Sequence, residues 1–228
     1  FSQALVISPT YAAAFTQRAN AYNAQGRYTQ AQADFDQAVA LNPADPIGWV
    51  AHAYTLYHLN RYADAVASFD QALALQADDA NAHYGRALAY SHLNQPDRAR
   101  LDLDEALRLD PARGPAYRER GRLWYAQAAY DQAYQDFDRA LTINVRDDSA
   151  RYWRGLTLYR LTQYERAMSD LQVIAAGTST HARSAQYYLG LIAYRQGDFV
   201  AATGAVDRAL TDIAPTEAQR YQRGLARY

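Results

Sequence analysis

A spacing of 34 residues runs along this chain and restricts its fold more than any other feature. Small residues mark it: Ala19, Ala53, Ala87, Gly121, Gly155, Gly190 and Gly224 fall 34 apart, with one extra residue between Gly155 and Gly190. Ala31, Ala65, Ala99, Ala133, Ala167 and Ala202 share the spacing, as do the apolar Phe35, Phe69, Leu103, Phe137, Leu171 and Val206. A unit this short cannot bury its apolar face alone, so neighbouring units must stack into a continuous array.

Half of the 228 residues are apolar, and an abundance of Ala, Leu, Arg and Gln favours helix over strand. An all-α fold in a single domain, 1–228, is expected. The net charge of −1 supplies no field that would recruit nucleic acid. The absence of cysteine excludes disulfides, zinc thiolates and thiol nucleophiles, and leaves the compartment open. No apolar run approaches the roughly 20 residues that span a bilayer, so membrane insertion is not expected. No charged-then-apolar leader opens the chain. All 23 Lys and Arg positions are Arg, a bias that fits the codon usage of a GC-rich genome.

Each unit reads as a first helix, a Gly- or Asn-containing turn, a second helix and a polar or Pro-bearing loop. In the first unit Ala12–Ala24 and Tyr28–Leu41 form the helices, and Asn42 and Pro43 stop the second. Complete units span 12–45, 46–79, 80–113, 114–147, 148–182 and 183–216. Residues 1–11 read as the end of a second helix and 217–228 as a first helix alone. Arg223, with no second helix after it, implies that the natural protein continues past Tyr228.

This arrangement resembles the tetratricopeptide repeat family. The family places an aromatic residue at unit position 4, a small one at 8, Ala at 20, an aromatic at 24, Ala at 27 and Pro at 32. Phe15, Trp49 and Tyr117 supply position 4; Ala38, Ala72, Ala106, Ala140 and Ala209 supply 27; Pro9, Pro43 and Pro111 supply 32. The resemblance implies a right-handed superhelical α-solenoid of antiparallel helix pairs. Positions 8 and 20 are small because the two helices cross there. The rings at position 17 (Tyr28, Tyr62, Tyr130, Tyr164 and Phe199) are expected to pack over the next first helix. Pro96 interrupts that row and predicts a tighter turn in the third unit. The fifth unit departs most, with Arg151 at position 4, Ile174 at 27 and a Gly177-Thr178-Ser179-Thr180 loop, so its second helix should end early.

Position 7 carries Arg18, Arg86, Arg120 and Arg154, and position 23 carries Asp34, Asp102, Asp136 and Asp170 in the same four units. The second unit has His52 with Ser68, and the sixth has Leu189 with Ala205. Pairing each Asp with the next unit's Arg would set Asp170 against Leu189, so the contact is expected within a unit. A guanidinium between helices needs a carboxylate to offset its desolvation. If the pair is fully buried, Asp136→Ala should cost roughly 3 to 5 kcal/mol. The neighbouring Asp36, Asp104 and Asp138 at position 25 read as solvated.

Positions 2, 5, 9 and 12 of the first helix form a stripe on one side of that helix. In the resembled family this stripe lines the concave groove. Here it carries Tyr54 and Tyr57; Tyr84 and Leu88; Arg118, Arg122 and Tyr125; Tyr152, Leu156 and Tyr159; Tyr187, Leu191 and Tyr194; and Tyr221, Leu225 and Tyr228. Tyrosine buries large area at low rotamer cost and arginine pairs with carboxylates, so the surface fits a partner peptide or helix. The same tyrosines could serve only to shield one first helix from the next. Family members often place Asn at position 9 to hold a ligand backbone; leucine there points to an apolar partner. The set by which some members clamp a C-terminal carboxylate is absent, since Thr16 and Asn20 are followed by Ala51, Asn81 and Gly85.

His58 and His92 both stand at position 13 within a duplicated His-Leu-Asn tripeptide, so their spacing records repetition rather than a metal site. No phosphate loop, nucleophile elbow or zinc spacing appears. The expectation is therefore a non-enzymatic scaffold that binds a protein partner, with no cofactor, metal or nucleic acid. The alternative is a structural protein whose uncapped ends stack head to tail into homo-oligomers or filaments.

Overall fold

A computed structural model of the chain describes residues 10–209. Those residues form α1 (Ala12–Ala24), α2 (Tyr28–Leu41), α3 (Pro46–His58), α4 (Tyr62–Leu75), α5 (Ala80–His92), α6 (Pro96–Leu109), α7 (Gly114–Ala126), α8 (Tyr130–Ile143), α9 (Asp148–Arg160), α10 (Tyr164–Ala176), α11 (Ala182–Arg195) and α12 (Phe199–Ala209). Among the described residues there is no strand, so the fold is all-α. The helices group into two compact units, one ending at Ala116 and the other beginning at Tyr117. The expected second-helix tail at 1–9 and first helix at 217–228, with Arg223, lie outside the described residues.

Backbone chemistry sets the helix ends. Position 15 of every unit sits in the left-handed region: Gly26 (φ 71), Asn60 (60), Asn94 (56), Ala128 (58), Thr162 (58) and Gly197 (82). Each closes the same motif, as where Gly26 N–H donates to Asn23 O at 2.9 Å and Arg27 N–H donates to Tyr22 O at 2.9 Å. Gly and Asn meet this requirement without strain, whereas Ala128 and Thr162 bear it. Asp45, Asp79 and Asp147 then cap the following first helices by accepting from Ile47, Asn81 and Ala150 N–H at 3.0, 2.7 and 2.9 Å. The turn before Pro96 has the same geometry as the others, so the expected tightening does not occur. Proline at the first position of α6 needs no hydrogen-bond partner for its nitrogen. The second helix of the fifth unit does end early: α10 has 13 residues where α8 has 14.

Helix crossings explain the small residues. Ala19, Ala53 and Ala87 at position 8, and Ala31, Ala65, Ala99, Ala133, Ala167 and Ala202 at position 20, have no exposed surface. In α7 even a methyl group is excluded: a Cβ on Gly121 would stand 2.8 Å from the Phe137 ring. The space saved admits Phe35, Phe69, Phe137, Leu103 and Leu171 to full burial. Each such side chain contributes about 1.5–3 kcal/mol. In the first compact unit α1 to α6 touch in order, and α1 also meets α3 and α3 meets α5; in the second α8 to α12 touch in order and α9 meets α11.

The predicted ion pairs form in all four units. Arg18 Nε and Nη2 donate to Asp34 at 2.7 and 2.6 Å, Arg86 to Asp102 at 2.7 and 2.7 Å, Arg120 to Asp136 at 2.8 and 2.7 Å, and Arg154 to Asp170 at 2.7 and 2.7 Å. Desolvation alone would raise the Asp102 pKa, but bonds from Arg86 and His83 hold it below the usual carboxylate range. In the second unit His52 Nδ1 lies 3.1 Å from Ser68 Oγ instead. Position 25 is not merely solvated, as the sequence reading held. Asp70 accepts from Arg86 Nη1 at 2.6 Å, Asp138 from Arg154 Nη1 at 2.7 Å, and Asp36 lies 3.0 Å from His52 Nε2. At these three junctions the basic group at position 7 therefore joins its own unit to the preceding one. The fifth-to-sixth junction has Gln172 and Leu189 at these positions and loses the link.

Arg151 at position 4 is likewise less aberrant than it looks. Trp49 donates to Pro43 O at 2.9 Å, Arg151 donates to Val145 O at 2.6 Å, and His83 Nε2 lies 3.1 Å from Ala77 O. At three of the six units position 4 thus reaches back six residues to a backbone carbonyl, with three different residue types.

Candidate functional site

In the unit ending at Ala116, the first-helix stripe consists of half-buried side chains. The Tyr54 hydroxyl donates to Asn81 O at 2.9 Å, and its ring stands edge-on to Phe69. Burial pushes its pKa well above the ordinary tyrosine value, so the hydroxyl stays protonated. Tyr57 lies 2.9 Å from His92 Nε2, and Tyr84 lies under the Arg113 guanidinium at 5.5 Å. Leu88 is partly exposed.

In the unit beginning at Tyr117, Arg118 and Arg122 read from sequence as free to meet a ligand carboxylate. Arg118 already donates to Asp147 at 2.6 Å and to Glu119 at 3.3 Å. Arg122 donates to Glu119 at 2.9 Å and lies over the Trp153 ring, but half of its side chain is exposed. Tyr152 and Leu156 are buried at 7% and 3% exposure, with Tyr152 stacked on His181 at 4.3 Å. They belong to the core that α9 makes with α10 and α11. Their helical spacing matches the stripe, but the chain entering α11 covers them. Tyr187, Leu191 and Tyr194 share one side of α11 and are each partly exposed. Burial against Tyr159 and its surroundings raises the Tyr187 pKa. Tyr221, Leu225 and Tyr228 lie outside the described residues.

One row escaped the sequence reading. The tyrosine at position 12 meets the residue at position 13 of the following unit: Tyr57 with His92 at 2.9 Å, Tyr125 with Arg160 at 3.2 Å and Tyr159 with Arg195 at 3.2 Å. Tyr28 and Tyr62 at position 17 stack on His58 and His92 at 4.7 and 4.3 Å, as their packing over the next helix requires. The two histidines are thus spacers between repeats. The signal was present: each of these tyrosines is followed in the next unit by His or Arg. At three junctions position 12 thus joins one repeat to the next.

A model of the tetratricopeptide repeat matches residues 16–80, 50–113, 84–148 and 154–218. The chain belongs to the tetratricopeptide repeat family. Proteins with this repeat are interaction scaffolds that bind protein or peptide partners, and are typically non-enzymatic. The fold is similar to that of PilF from Pseudomonas aeruginosa, at 20% identity over 95% of this chain and 97% of that one, with a TM-score of 0.80. PilW, a type IV pilus biogenesis factor, is 21% identical over 92% and 97%, with a TM-score of 0.75. YrrB, described as having an unusual peptide-binding site, is 23% identical over 84% and 95%, with a TM-score of 0.69. At these identities the likeness is one of fold. No curated protein matches the tetratricopeptide chain. Among the described residues no helix is long and apolar enough to cross a membrane.

Proposed function

We propose that this tetratricopeptide repeat chain is a non-catalytic scaffold that binds an extended or helical protein segment on the first-helix face of its second compact unit. One observation carries the reading: Tyr187, Leu191 and Tyr194 share one side of α11 and stay partly exposed. An apolar-aromatic surface of this kind favours a ligand with apolar side chains, which displaces water from the leucine and packs against the rings. Tyr125, Arg122 and Tyr159 extend the surface on α7 and α9. Arg122 contributes a partly exposed cation to a ligand carboxylate, although it must share its charge with Glu119.

The test is a peptide selected from a random display library against the purified chain, titrated against the wild type and the Tyr187→Ala/Leu191→Ala/Tyr194→Ala variant. The expected outcome is at least tenfold weaker binding by the variant at unchanged helicity. Equal affinity would overturn the reading. Light scattering across a concentration series separates the alternative: a mass constant near 25.6 kDa leaves the scaffold reading standing, and a mass that climbs favours end-to-end stacking.

A further inference from the structure

The sixth unit breaks the filling rule of the others in three places at once. Position 7 is Leu189 where four units have arginine, and position 23 is Ala205 where the same four have aspartate. Position 11 is Ala193, where the preceding units carry Tyr22, Leu56, Tyr90, Trp124 and Leu158. The space that these side chains would occupy is not reclaimed by the backbone. A cavity of about 310 Å³ lies between α10, α11 and α12, lined by Met168, Leu189, Ala193 and Ala205 among others, with Arg208 at its rim. Its size is near the lower end for ligand sites, which suits one bulky side chain rather than a folded segment. Met168 supplies a soft wall that can adjust to a guest.

Arg208 gives the cavity a chemical preference. Its Nε donates to Gln186 at 3.2 Å, and among the described residues it forms no ion pair. The Arg208 side chain is exposed and open to a carboxylate brought by a partner. Positions 4, 7 and 11 of α11 also lie on the side opposite positions 5, 9 and 12, because about 3.6 residues make a turn. The cavity therefore opens away from Tyr187, Leu191 and Tyr194.

We propose that this cavity is a second docking site, which takes one aromatic or large aliphatic side chain of a partner peptide, with an adjacent carboxylate paired to Arg208. The apolar side chain fills the volume that Leu189, Ala193 and Ala205 leave open, and the carboxylate selects for an acidic neighbour.

The probes are the dipeptides acetyl-Phe-Asp-amide and acetyl-Phe-Asn-amide, titrated against the isotope-labelled full chain by amide chemical shift. The expected result is saturable shifts at Leu189, Ala193 and Ala205, with the aspartate probe binding at least threefold tighter. Ala193→Leu, which installs the residue found at Leu56 and Leu158, should weaken both probes at least tenfold. Arg208→Gln, at an exposed site that the fold tolerates, should make the two probes equal. The Tyr187, Leu191 and Tyr194 triple variant should bind both as the wild type does. The proposal is overturned by absence of shifts at the three named amides, by equal binding of the two probes to the wild type, or by loss of binding in the tyrosine-stripe variant. The last outcome would place the probe on the other side of α11, so this site and the first-helix face fail independently.

Discussion

Asp170 shows how one side chain can be both costly and necessary. It is 4% exposed and accepts two bonds from Arg154, whose side chain keeps about a fifth of its surface in water (21%). That partial exposure lowers the penalty of breaking the pair, so Asp170→Ala should cost about 3 kcal/mol, the lower end of the range for buried pairs. Urea unfolding measures it, and a change below about 1 kcal/mol would mean that the pair merely offsets its own desolvation. Thr162 makes the opposite case. A β-branched residue at φ 58 is strained by about 1–2 kcal/mol, and glycine removes this at an entropic cost of about 0.4–1 kcal/mol. Thr162→Gly should therefore stabilise by about 0.5–1 kcal/mol. The Asp–Arg pairing was legible because six internal copies served as an alignment. Position 25 carries the same signature between copies, since Gln172 replaces its aspartate where Leu189 replaces the basic group.

At the scale of an element, α5 carries the clearest proton linkage. His83 Nδ1 faces Asp102 Oδ1 at 3.0 Å and Nε2 faces the Ala77 carbonyl oxygen at 3.1 Å. Both partners can only accept, which favours the doubly protonated ring. Its pKa is raised, chiefly by the bond to Asp102 and further by Ala77, against partial burial and the nearby Arg86. A raised folded value means that this stability is complete below the ordinary histidine pKa of about 6.5 and is lost as pH rises through the folded value. His52 on α3 acts in the opposite sense: burial lowers its pKa against the pull of Asp36, so stability falls as pH drops below about 6.5. The excess stability of the wild type over His83→Phe should shrink as pH rises above about 6.5, with His52 common to both proteins. Thermal unfolding at several pH values measures it, and a pH-independent difference would show that His83 is neutral. Helix boundaries at this scale were readable because they follow local chemistry. Proline, the left-handed residue at position 15 and the Asp caps mark α1 through α9 wherever tertiary packing leaves the backbone free.

For the molecule as a whole, side-chain contacts between helices join residues of the same or adjacent repeats, as in Arg154 with Asp170, 16 apart, and Arg195 with Tyr159, 36 apart. Stability in such an array is a sum of unit and nearest-neighbour terms. Asp170→Ala should therefore speed amide exchange across α9 to α12 at least tenfold and leave α1 to α3 within about twofold of the wild type. Uniform acceleration would show one cooperative unit instead. The sequence by itself determined the period, the helix pairs, the small residues at their crossings and the Arg–Asp pairs, because each recurs inside a unit and repetition makes it visible. Only the tertiary structure decided what units do to one another. It buried Tyr152 and Leu156 beneath the entrance to α11, committed Arg118 to Asp147, set position 12 against position 13 of the next unit, and opened a cavity around Leu189 and Ala205. Those outcomes depend on the offset at which one helix pair stacks on the next. Spacing within a unit carries no record of that offset, because the same stripe of residues serves a core contact or an open face according to what lies above it.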